Sequence, residues 1–201
     1  APHYGWLSEE TEDSSSRLTK TKVFIVDPID GTRSFIAGDR TWAHSLAVVE
    51  NGIPIAAVIY LPKMNLLYTA EVNKGAFLNG KKISVSQNFK LKDAEILAKN
   101  SILNENIWKS GDRALFRQRY CPSIAYRLAL VAEGRFDGMI ALGRTWEWDI
   151  CAGHLLVSEA GGIVTTNFGN KIVFNSKVGS SKGIVAGNSS INKSLMNELK
   201  I

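Results

Sequence analysis

The chain has 201 residues, 24 of them Lys or Arg against 19 Asp or Glu, which gives a formal net charge of +5. That length can bury a substantial core as one globular unit or two intimately packed lobes. No apolar run reaches membrane-spanning length and no secretory leader opens the chain, although a truncated start would hide a leader. Cys121 and Cys151 lack metal-type spacing, so free thiols in a reducing cytoplasm are expected. The basic residues are scattered among acids. Their densest groupings, Lys20 with Lys22, Lys81 with Lys82, and Arg113 to Arg119, read as solvated faces or loops, which argues against nucleic acid and for attraction of a small anionic substrate.

In chain order, Leu7-Ser8-Glu9-Glu10 supplies a pair of carboxylates. Val23-Phe24-Ile25-Val26 then reads as a buried strand that ends abruptly in Asp27-Pro28-Ile29-Asp30-Gly31-Thr32. Pro28 fixes one backbone dihedral and Gly31 admits a conformation closed to other residues. A turn here can therefore aim Asp27, Asp30 and the Ile29 carbonyl at one point. Gly31 and Thr32 offer backbone N–H groups to an anion, especially if a helix starts there. Oxygen ligands beside an anion cradle suit Mg²⁺ and a phosphate ester. An ordinary strand-ending turn with solvated acids is an equal reading of this run taken alone.

Residues 34–37 suggest a short helix stopped near Gly38, followed by a strand at 44–49, an Asn51-Gly52 hairpin turn and a return strand at 53–61. Further strands are expected at 66–70 and, after the Asn79-Gly80 turn, at 83–85, which completes an antiparallel meander. In the second half Ser123 is placed to cap a helix ending near Gly134, with a strand over 136–142. Asp149 begins another helix, with Ile150, Leu155, Leu156 and Ala160 along one side and Gly161-Gly162 as its stop. Strands follow at 163–166, 172–174 and 184–186, and Ser190 can cap a last helix. Such blocks imply layered sheets and helices of the α/β class.

The acidic pair, the Asp-Pro-Ile-Asp-Gly-Thr run and the segment from Trp148-Asp149 to Gly161-Gly162 stand in the order found in the inositol monophosphatase family. From about Gly5 to its end the chain resembles that family, which sits within a wider group of Mg²⁺-dependent, lithium-sensitive phosphatases including bisphosphate nucleotidases and fructose bisphosphatases. The resemblance implies an α/β sandwich of alternating helical and sheet layers, here as one catalytic domain over residues 1–201. Family members usually carry a largely helical region before the acidic pair, so the sequence is expected to be incomplete, and no residue here takes the role of the N-terminal acid that helps position the attacking water. The resemblance further implies two or three Mg²⁺ ions on the carboxylates of Glu9, Asp27, Asp30 and Asp149 and the Ile29 carbonyl. Thr32 with Glu9 would orient the water, and the Gly31 and Thr32 N–H groups would hold the phosphate. The implied partner is a small phosphorylated metabolite, with a homodimer compatible and no membrane.

Each assignment has a plainer competitor. Asp149 alone reads as a helix N-cap, and Glu10 as a solvated neighbour of Glu9. Trp146 and Trp148 fit core or rim packing better than stacking on a substrate ring. Cys151 reads as a small buried residue, and His3, His44 and His154 lack ligand spacing. For the substrate, Arg33-Ser34-Phe35-Ile36 after the Asp-Gly-Thr turn, Leu142 in place of a polyol-binding acid, and Pro62-Lys63-Met64-Asn65 resemble the nucleotidase branch. Gly75-Ala76-Phe77-Leu78-Asn79-Gly80 through Val85-Ser86 resembles the inositol branch. Inositol 1-phosphate is the expected substrate class, with adenosine 3′,5′-bisphosphate as the alternative. A metal- and phosphate-binding regulatory protein without turnover is the non-enzyme alternative.

Overall fold

The computed structural model describes residues 3–111 and 115–200. In chain order the elements are β1 (Gly5–Ser8), β2 (Lys22–Asp30), α1 (Thr32–Ile36), β3 (Ala43–Glu50), β4 (Ile53–Leu61), β5 (Leu66–Glu71), β6 (Gly75–Leu78), β7 (Lys81–Lys82), β8 (Glu95–Leu97), β9 (Arg117–Arg119), α2 (Ile124–Ala132), β10 (Gly138–Trp146), α3 (Glu147–Glu159), β11 (Ile163–Thr165), β12 (Ser180–Gly187) and α4 (Ser189–Glu198). β1 to β7 form one sheet in sequence order, antiparallel throughout except that β1 runs parallel to β2. The second sheet has the order β11-β12-β10-β8-β9.

Helices α2 and α3 pack on each other and face both sheets, and α4 lies against β11 and β12. Alternation along the strands accounts for these layers. In β3 and β4, Ala43, Ala47, Val49, Ala57 and Ile59 point inward. On the other face of that sheet Leu46 and Leu67 remain more than a third exposed. Within the second sheet Met139, Ile184 and Ala186 join the α2–α3 core. Their neighbours Ile140 and Val185 turn to a second core with Ile191 and Leu195 of α4. Because α3 is covered from two sides, Ile150, Cys151, Ala152, Leu155, Leu156 and Val157 are all buried around it.

The hairpin expectations hold because the backbone takes the required conformation. Asn51 and Gly52 have φ of 50° and 83°, and Asn79 and Gly80 have 47° and 77°. Four local expectations are corrected. The expected strand at 83–85 stops short: the Ile83 N–H still donates to the Ala76 carbonyl of β6 at 3.0 Å, but the Val85 N–H donates to the Ala160 carbonyl at 3.0 Å and leaves the sheet. Residues 172–174 form no strand. Phe174 is buried, its N–H donates to the Gly52 carbonyl at 3.0 Å, and Asn175 turns the chain with φ of 58°. The 136–142 strand begins later, at Gly138, because the N–H groups of Arg135 and Phe136 are spent on the Leu130 carbonyl closing α2. The last helix is capped by Asn188, whose Oδ1 accepts from the Ile191 N–H at 2.9 Å, and not by Ser190. Ser123 does cap α2, accepting from the Tyr126 N–H at 2.9 Å. β1, β8 and β9 carry too little alternation to be read from sequence.

Candidate active site

The site forms where β1 and β2 end beside the first turn of α3. Ser8 pairs with Val26 in the parallel β1–β2 ladder, so Glu9 leaves its strand abreast of Asp27. β2 does not stop before the acids. It runs through them to Asp30, and the register with β3 shifts between Asp27 and Asp30. A bulge therefore does the work expected of a turn, re-aiming both acids without ending the sheet. Asp27 Oδ1 accepts from the Ile29 N–H at 2.8 Å, and the His44 ring donates through Nδ1 to the Pro28 carbonyl. Gly31 follows with φ of 92°, a left-handed value open to glycine, and Thr32 opens α1. The Thr32 hydroxyl donates to the Ile29 carbonyl at 3.2 Å.

Asp149 arrives from the other side of the fold. It is the third residue of α3, not the first, because Glu147 and Trp148 are already helical. The Ser45 hydroxyl donates to the Trp148 carbonyl at 2.9 Å and so ties that first turn to β3. One oxygen each from Glu9, Asp27 and Asp149 lie within 4.8 Å of one another. Asp27 is buried, and its Oδ2 has no hydrogen-bond partner among the described residues. Burial, then the neighbouring Asp30 charge, pushes the Asp27 carboxyl up to about 7, with Glu9 adding to it. Asp149 is raised by burial and by Asp30, Asp27 and Glu9 in that order. Glu9 is raised by partial burial and Glu10. Such a set of oxygen donors, mutually repelling and with one buried oxygen unsatisfied, fits a hard divalent cation.

Asp30 stands beside this trio with one oxygen engaged elsewhere. Its Oδ2 accepts from the Ser123 hydroxyl and from the Ala125 N–H, each at 2.6 Å, at the N-terminus of α2. Burial raises its carboxyl, while the Ser123 and Ala125 bonds and the Arg127 charge oppose the rise. The structure thus brings Glu9, Asp27 and Asp149 together, sets Asp30 next to them, and puts Gly31, Thr32 and the Ile29 carbonyl at the adjoining turn. Sequence reasoning did not find that Ser123 also holds Asp30. An N-cap serine, whose hydroxyl can donate while it accepts from the helix, was the available signal.

Ile124, between the two donors to Asp30, lines a cavity of about 280 Å³ together with Lys99, Arg127, Leu142, Arg144 and Thr145, and among the described residues no acid lines it. The Arg127 Nη1 and Thr145 Oγ1 atoms are buried without hydrogen-bond partners among the described residues. Trp146 and Trp148 stack on each other at 4.9 Å with the Arg144 guanidinium 4.2 Å from the Trp146 ring centre, in keeping with rim packing. Cys151 is buried. Of the basic groupings, Lys22 pairs with Glu50, Arg117 with Asp93 and Arg119 with Glu95, while Arg113 lies outside the described residues.

The inositol monophosphatase family model matches residues 1–200. An inositol-1-monophosphatase of Mesorhizobium japonicum is 37% identical over 99% of this chain and 75% of its own length. A fructose-1,6-bisphosphatase/inositol-1-monophosphatase of Aquifex aeolicus is 35% identical, and there the match covers 71% of this chain but only 56% of the relative. Among solved structures, the extragenic suppressor protein suhB of Bartonella henselae superposes with a TM-score of 0.84 at 35% identity, over 98% of this chain and 75% of that one. The layered α/β architecture is therefore shared with these proteins, and the match runs the length of the sequence. The chain belongs to the inositol monophosphatase family of phosphatases.

Proposed function

We propose that the protein is a Mg²⁺-dependent phosphomonoesterase acting on a small phosphorylated metabolite of the inositol 1-phosphate type. The observation that carries this reading is the trio Glu9, Asp27 and Asp149 around the unpartnered Asp27 oxygen, next to the Gly31-Thr32 turn. Two or three Mg²⁺ ions would be held by these carboxylates, the remaining oxygen of Asp30 and the Ile29 carbonyl. Bound Mg²⁺ supplies neutralisation of the phosphoryl oxygens and of the leaving alkoxide. The Thr32 hydroxyl, with its own proton directed at Ile29, keeps lone pairs to accept a hydrogen bond from the attacking water, and Glu9 orients the same water. The N–H groups of Gly31 and Thr32, at the start of α1, hold the phosphate. As the water–phosphorus bond forms and the ester bond breaks, charge builds on oxygens facing these donors.

A second reading has a specific observation in its favour. The cavity that Ile124 lines carries Lys99, Arg127 and Arg144 with no acid among the described residues, and Leu142 puts an apolar surface there. That lining suits a leaving group carrying a second anionic group, as in adenosine 3′,5′-bisphosphate. No described helix is long and apolar enough to cross a membrane. The cytoplasmic placement we propose rests on the two free, buried cysteines.

Phosphate release from inositol 1-phosphate, adenosine 3′,5′-bisphosphate and fructose 1,6-bisphosphate, each with Mg²⁺ and with chelator, tests both readings. Metal-dependent release from at least one is expected, and its absence from all three overturns the proposal. Replacing Thr32 with Ala should lower kcat far more than it raises KM, with Ser restoring part of the rate.

A further inference from the structure

Glu147 is a buried acid, two residues from Asp149, that takes no part in the carboxylate trio. Its two oxygens accept instead from the N–H groups of Asn175 and Ser176, at 2.7 and 3.0 Å. The same dipeptide is gripped from the opposite side. The guanidinium of Arg17, also buried, donates to Asn175 Oδ1 at 2.6 Å and through both terminal nitrogens to the Ser176 carbonyl at 3.1 Å. Arg17 in turn is held by both oxygens of Asp13, at 2.6 and 2.9 Å. A continuous polar chain therefore runs from the loop that carries Glu9, through Asp13 and Arg17, across residues 175–176, to the first turn of α3 that carries Asp149.

This connection matters because the three clustered acids are anchored unequally. Asp27 sits on a strand inside a sheet and Asp149 on a helix packed from two sides, but Glu9 lies in an exposed loop after the four-residue β1. Crowding three carboxyl groups within 4.8 Å of one another disfavours the closed position of that loop whenever they are ionised, and the Trp6–Thr11 hydrogen bond at its base is itself exposed. We propose that Asp13, Arg17 and Glu147 are positioning residues that hold Glu9 at ligand distance from Asp149 and so preorganise the cation site. The inference rests on the divalent-cation reading of the trio. Burying Arg17 and Glu147 is costly unless their hydrogen bonds are complete, and their bonds to Asn175 and Ser176 join segments that must stay in register for the site to exist, while the local Asp13 pair fixes the Arg17 fork.

The test follows Mg²⁺-dependent thermal stabilisation of the purified protein, a readout independent of turnover. In Asp13→Asn, which keeps an oxygen acceptor for the buried Arg17 guanidinium, in Asp13→Ala and in Glu147→Gln, the Mg²⁺ concentration giving half of the stabilisation should rise, by about fivefold or more in Asp13→Ala and Glu147→Gln. Asp13→Glu should keep most of the parent response. At saturating Mg²⁺, KM for the ester should stay near the parent value. A purely structural role would lower the metal-free Tm and leave the Mg²⁺ midpoint where it was. An unchanged midpoint in Asp13→Ala overturns the inference even if Glu147→Gln fails to fold. A parent protein that ignores Mg²⁺ altogether overturns the cation reading and this inference with it, which separates the two failures.

Discussion

At the scale of single residues, Asp149 shows how a binding role and a folding role oppose each other. Without a cation its charge is disfavoured by burial and by Asp30, Asp27 and Glu9. Asp149→Asn keeps the shape of the side chain while removing the cost of holding protonated, in the folded chain, a carboxyl that is ionised in the unfolded one. The metal-free protein at pH 8 should accordingly match or exceed the parent Tm, while Mg²⁺-dependent turnover falls by about 100-fold or more. Paired thermal melts and phosphate-release rates check both halves. His154 gives a pH signature of its own. Burial pushes its imidazole down to about 4, below the ordinary value of 6.5. A depressed histidine binds fewer protons in the folded chain than in the unfolded one. Its contribution is thus full above about pH 6.5 and is lost as pH falls toward 4, by up to about 3 kcal/mol. His154→Leu should flatten the Tm profile in that window relative to the parent, and parallel profiles would contradict the assignment.

Among the elements, the contact of α2 with α3 is the tightest that bears on the site. A Cβ on Gly153 would come within 2.4 Å of the Leu128 side chain, so the two helices approach as closely as they do only because this position is glycine. Gly153→Ala must push α3, and Asp149 with it, away from α2. Overpacking of this kind costs about 1–3 kcal/mol and should lower Tm by about 3–10 °C, partly restored by adding Leu128→Val. The N-terminus of α2 has a second duty, since Ser123 caps the helix and holds Asp30 with one hydroxyl. Ser123→Ala should lose about 1–2 kcal/mol of stability and also weaken Mg²⁺ binding, which chemical denaturation and metal titration measure separately.

For the whole molecule, the acids come from three segments, near residues 9, 27–30 and 149, and they meet only in the folded chain. A cation held among Glu9, Asp27 and Asp149 binds the native state and not the unfolded one. Mg²⁺ at one hundred times its dissociation constant should therefore stabilise the protein by about 2.7 kcal/mol and raise Tm by about 5–10 °C, reversed by chelation. Calorimetric scans with and without Mg²⁺ check this.

Much of the site could be read from residues adjacent in sequence. The run from Asp27 to Thr32 announces itself because proline and glycine fix dihedrals within a few residues, and Asn51-Gly52 and Asn79-Gly80 mark their turns for the same short-range reason. Composition and the family motifs likewise carry the α/β class and the identities of Glu9 and Asp149. The sequence alone, then, determines which side chains are available for chemistry and where the backbone must turn. Only tertiary structure decides that β2 passes through its acids on a bulge, that residues 172–174 give up their hydrogen bond to a hairpin instead of a sheet, and that one oxygen of Asp30 belongs to α2. It likewise decides that Glu147 anchors a distant loop and leaves the trio to Asp149. These outcomes depend on partners up to about a hundred and sixty positions away, and a hydrogen bond or a repulsion between such groups exists only after packing has brought them within a few ångströms.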